Sequence, residues 1–123
     1  MLALADAAIA RQGAGDRAAP ALLQRMTERM QTWVSERRGD ALAWATLSQC
    51  AEPIGLKLRA IRADAEAHAV QGDLQGAIDR LHAGQRFARV GSTDFVEASI
   101  IDSRLHELEA ERRALDAELK RGG

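Results

Sequence analysis

Apolar side chains recur at intervals of three and four residues along most of this chain, and glycine, proline and aspartate signals interrupt them. That pattern predicts about six helices. The first covers Leu2–Gln12 and is stopped by Gly13 and Gly15. A second runs from near Ala18 to Arg38, with Asp16 as a candidate cap and Pro20 tolerated in the first turn. Its apolar positions Leu22, Leu23, Met26, Met30, Trp33 and Val34 keep helical spacing. Gly39 ends it, and Asp40 caps a third helix, Ala41–Ala51, carrying Trp44 and Leu47; Pro53 and Gly55 then break the chain.

The fourth helix is expected over Leu56–Gln71, with Leu58, Ile61, Ala65 and Ala69 as one buried stripe. Gly72 supplies its C-terminal turn and Asp73 caps the fifth helix, Leu74–Arg89, whose expected buried face is Leu74, Ala77, Ile78, Leu81 and Phe87. Gly91 stops that helix, and Asp94 with Glu97 three residues later reads as a capping box. The last helix, Asp94–Lys120, places Ile101, Leu105, Leu108, Leu115 and Leu119 on a coiled-coil-like seam with Arg112 in the missing slot. It reads either as a capping helix that outruns the core or as a seam that pairs with another chain.

Composition agrees with an all-α fold. The 123 residues include no Tyr, two Phe and two Trp, and β-branched residues are too sparse for a sheet. Seventeen basic and 18 acidic residues are interspersed to a net charge of −1, which offers no electrostatic footprint for nucleic acid or an anionic membrane. No apolar run approaches the ~20 residues of a membrane span. Cys50, the single cysteine, excludes an internal disulfide and reads as a core-filling thiol.

Catalytic chemistry finds little support. There is no HExxH motif, no glycine-rich phosphate loop and no GxSxG elbow. Asp64, Glu66, His68 and His82 are the only locally conceivable metal ligands, and Glu66 lies off the helix face shared by Asp64 and His68. Glu107, Glu109 and Glu111 mix with Arg112 and Arg113 as a solvated helix does. The expectation is a chain with no catalytic site, metal or cofactor of its own.

The run RADAEAHAVQGDLQGAIDRL, from Arg62 to Leu81, reads as helix, Gly-Asp punctuation and second helix, with small Ala77 where two helices cross. It resembles the helical hairpin of the tetratricopeptide (TPR) repeat, in degenerate form, with Trp44-x-x-Leu47 as a further first-helix signature. DALAWATL, LRAIRADAEAHAVQGDLQGAIDRL, GQRFARVG and DFVEASIIDSRLHELE together resemble the C-terminal TPR region of the periplasmic zinc metallopeptidases known as β-barrel assembly-enhancing proteases. The likeness covers about Ala41 to Leu108, and more loosely Leu4–Arg38.

That resemblance implies one TPR-like helical domain over 1–123: a degenerate first hairpin (1–39), central TPR-like helices (40–91) and a long C-terminal helix and tail (92–123). It implies a periplasmic, non-catalytic module that recruits outer-membrane protein precursors or the barrel-assembly machinery to a zinc peptidase domain. Zinc would belong to that absent domain. The alternative is a structural module that docks on its own protease domain and controls cleft access. Candidate protein-binding residues, expected on exposed helix faces, are Gln49, Arg59, Arg62 and Glu66.

Overall fold

The computed structural model describes residues 19–122. Within them the chain forms α1 (Ala19–Glu36), α2 (Ala41–Ala51), α3 (Lys57–Val70), α4 (Leu74–Arg89) and α5 (Phe95–Gly122), with a 3-10 turn, Glu52–Ile54, before α3. There is no strand among the described residues, and no described helix is long and apolar enough to cross a membrane. The expected helix Leu2–Gln12 and the Asp16 cap lie outside the described residues. The fold class is all-α.

Aspartates and glycines set the helix ends. The Ala43 N–H donates to Asp40 Oδ1 at 3.0 Å, and the Gly76 N–H to Asp73 Oδ1 at 2.9 Å, so each aspartate satisfies an orphan donor of the first turn. Asp40 also receives the Trp33 indole N–H at 2.9 Å, while the Trp44 indole donates to the Arg38 carbonyl at 2.9 Å. Two tryptophans thereby pin the α1–α2 turn. Between α3 and α4 the chain reverses through Gly72 at φ +85°, a conformation that a side chain strains.

Each helix runs antiparallel to its predecessor. From α4 to α5 the partners step in opposite directions: Gln75 with Arg112, His82 with Glu109, Gln85 with Asp102. Asp64 pairs with Arg80 across α3 and α4, and the Ser48 hydroxyl donates to the Ala60 carbonyl across α2 and α3.

The core is segmented rather than central. Met30, Val34, Trp44 and Leu47 pack with Ala63 and Ala67, whereas Leu58 and Ala65 pack with Ala77, Ile78, Leu81, Ile101, Leu105 and Leu108. Leu23, Met26 and Cys50 form a third cluster. α3 belongs to both larger clusters, so the single expected stripe is corrected to two. A helix clasped by neighbours on both sides needs small residues on both, and Ala60, Ala63, Ala65 and Ala67 are all buried.

Two further corrections concern α4 and α5. Phe87 is largely outside the core, at 39% exposure, and the buried residue near that end is Gly84. A Cβ on Gly84 would stand 3.0 Å from Ile101 and 3.2 Å from Ile61, so any side chain there would press on isoleucines of both α3 and α5. At the start of α5, Asp94 Oδ1 does accept the Glu97 N–H at 3.1 Å. The reciprocal half of the box is missing: the Asp94 N–H donates to Ser92 Oγ instead, leaving the Glu97 carboxylate to turn inward.

Candidate protein-binding faces of α3

Glu97 turns inward toward two arginines of α3. Arg62 donates to it from Nε at 2.7 Å and from Nη2 at 3.2 Å, a two-pronged contact, and Arg59 Nε lies 3.4 Å away without forming a hydrogen bond. Arg62 also reaches the Gln31 amide oxygen of α1 at 3.5 Å and stands 5.8 Å from the Trp44 ring. One turn along, Arg104 of α5 donates to Glu66 at 2.7 Å and to Glu107 at 3.1 Å. Burial opposes the charge on Arg104, but these two carboxylates outweigh it and hold the guanidinium more firmly protonated than usual.

This arrangement corrects two of the four candidate residues. Arg62 and Glu66 are not on an exposed face; at 8% and 5% exposure they are buried, their charges spent on α5. Their ion pairs join α3 to α5, beside the apolar packing of Leu58 and Ala65 on Ile101, Leu105 and Leu108. Arg59 is half-buried at the edge of this network and lines a cleft of about 330 Å³ with Gln24, Thr27 and Ile54.

The opposite side of α3 is open. Between α2 and α4 lies a cleft of about 690 Å³, lined by Ser48 and Gln49 of α2, Asp64 of α3 and Arg80 of α4. Glu52, Pro53 and Lys57 line it as well. Its charges are paired but solvated: Lys57 to Glu52 at 2.7 Å and Arg80 to Asp64 at 2.7 Å, with side chains between 34% and 50% exposed. Gln49, the remaining candidate, is exposed and lines this cleft, with Glu52 three residues further on. The cleft can offer hydrogen bonds and solvated charges of both signs, and the Ser48 hydroxyl on its wall donates to the Ala60 carbonyl.

No histidine is among the residues lining this cleft. His68 Nδ1 is 2.9 Å from Asp73 and its Nε2 is 3.7 Å from Asp64, whereas His82 faces Glu109 at 3.9 Å on α5. The Gly76 N–H and then His68 hold the Asp73 carboxyl below the usual carboxylate range. Glu66 is committed to Arg104, and no group of three or more potential metal ligands converges among the described residues.

Lys57 and Arg80 are cleft residues that sequence reasoning did not single out; Asp64 was weighed only as a metal ligand. The spacing of Asp64 and Gln49 about a shared wall would have needed knowledge of how α2 crosses α3. Comparison with protein-family models, with curated proteins and with solved structures returned no match.

Proposed function

We propose that this chain is a non-catalytic protein-interaction module whose α2–α3–α4 cleft receives an extended segment of a partly folded partner. The observation that carries the reading is the asymmetry of α3: Arg62 and Glu66 toward α5 are buried and held by hydrogen-bonded ion pairs, while the charged groups toward the 690 Å³ cleft stay solvated and can re-pair. Exposed pairs exchange partners at little cost, which suits a binding surface. Antiparallel helices packed in series also resemble TPR-type hairpins, which present such grooves.

From the resemblance of Ala41–Leu108 to the β-barrel assembly-enhancing proteases, the partner is an outer-membrane barrel precursor or its assembly machinery in the periplasm. The attached activity is a zinc metallopeptidase. The binding residues on this reading are Gln49, Asp64, Lys57 and Arg80, with Arg62 and Glu66 withdrawn from the groove.

The test is capture of an unfolded outer-membrane barrel precursor by the chain and by its Gln49→Arg/Asp64→Lys variant. Weaker capture with unchanged helicity is expected. Unchanged capture removes the cleft. Association with the peptidase half that lowers proteolysis, without precursor capture, would replace recruitment by regulation of the protease.

A further inference from the structure

Among the described residues, nothing packs on the apolar seam at the end of α5. Ile101, Leu105 and Leu108 are buried against the helices before it, yet the same alternating three- and four-residue step continues to Leu115 and Leu119, which are 46% and 73% exposed. Arg112, between them, is drawn aside: its Nη1 donates to Gln75 Oε1 of α4 at 2.6 Å. Past that bond, residues 113–122 are all exposed, a projecting rod of about 15 Å at 1.5 Å per residue.

The charges around the rod are sorted. At about 100° per residue, Glu111 and Glu118 border the seam on one edge and Asp116 on the other, while Arg113, Lys120 and Arg121 fall on the back. Residues bordering a helical seam choose its partner, because they meet the partner's bordering residues at close range. A second copy of this chain is disfavoured in both orientations. Antiparallel pairing sets Glu111 and Glu118 against their own counterparts, and parallel pairing sets Glu111 against Asp116.

We infer that the projecting end of α5 docks a basic amphipathic helix of another protein, with leucine-like residues on Leu115 and Leu119 and lysines or arginines against Glu111, Asp116 and Glu118. This site is separate from the α2–α3–α4 cleft and does not depend on it.

The probe is a synthetic helical peptide of about 20 residues carrying leucine on its seam and lysine along both borders; its counterpart carries glutamate there. Binding to the whole chain is read by calorimetry, and self-association by sedimentation. The lysine peptide is expected to bind and to weaken with added salt, the glutamate peptide not to bind, and the chain to remain a monomer. In the Leu115→Glu/Leu119→Glu variant, altered only at exposed positions, affinity should fall roughly tenfold or more with helicity retained. Equal binding of both peptides, no binding of either, or a dimer that the double variant abolishes would each overturn the inference. The cleft variant Gln49→Arg/Asp64→Lys should bind the lysine peptide normally, so the two sites fail independently.

Discussion

The two sides of α3 use the same chemistry to opposite ends. Toward α1 and α5, Arg62, Glu66 and Glu97 are almost fully removed from water and Arg104 is partly so, with bonds at 2.7 Å. Toward α2 and α4, Lys57, Glu52, Asp64 and Arg80 make pairs as short, but solvated. Distance therefore does not separate them; desolvation does. A buried ion whose partner is removed loses both its Coulomb energy and its hydration, whereas an exposed one recovers water. The lesson is that one side of this helix is fixed by its charges and the other is left free to exchange them.

The largest effect should come from breaking the buried pair. Glu97→Ala leaves Arg62 and Arg59 facing each other without a counter-ion, and is expected to destabilise the fold by about 3–5 kcal/mol in denaturant unfolding. Removing both charges sharpens the point: Arg62→Met with Glu97→Leu should recover most of that loss, because apolar replacement of a buried pair is often neutral. If the double change is as damaging as Glu97→Ala alone, the pair does more than neutralise itself.

Gly84→Leu comes next, at about 1–3 kcal/mol, since Ile61 and Ile101 already stand against that position. Thermal melts of Gly84→Leu should show the loss, and a melt like that of the unaltered chain would mean α4 can tilt away.

Asp40→Ala should cost about 1 kcal/mol as a lost cap. The Trp33 indole foremost, then the Ala43 N–H, holds Asp40 below its ordinary carboxylate value. The folded state thus binds its proton more weakly than the unfolded one. The stability from this group is complete above the unfolded value near 3.8 and is lost as pH falls through the lower folded value. The same sign applies to Asp73. Acid titration of the unfolding midpoint should show this loss, with the Asp40→Ala chain losing less.

The smallest effect belongs to the open side: Lys57→Ala should change stability by less than about 1 kcal/mol, and added salt should erase even that. A loss comparable to Glu97→Ala would cancel the distinction between the two sides.

Much of the framework was legible from local signals. α2 and α4 occupy the ranges that Asp40, Asp73 and the flanking glycines predict, because capping is decided within a few residues of chain. The heptad step on α5 also reads directly, including its exposed end. What local reading misses is partnership over distance. Arg62 and Glu66 look solvent-facing because they are charged, and their counter-ions arrive 35 and 38 residues later. Glu97 reads as a capping-box residue, and only the Ser92 hydroxyl, by taking the Asp94 N–H, shows why it is free for other work. Gly84 falls on the stripe of Ala77 and Leu81 by spacing, but without a side chain it does not register as an apolar position; its contacts with two isoleucines on other helices show its place. The cleft was legible only at Gln49, since its remaining walls are brought together by the crossing of α2, α3 and α4.

The most direct test places a photo-crosslinking residue at Gln49, in the cleft, or at Glu107, exposed beside the closed ion network, and presents each chain with an unfolded outer-membrane barrel precursor. The account predicts a covalent adduct from Gln49 and none from Glu107. An adduct from Glu107 with none from Gln49 would contradict it.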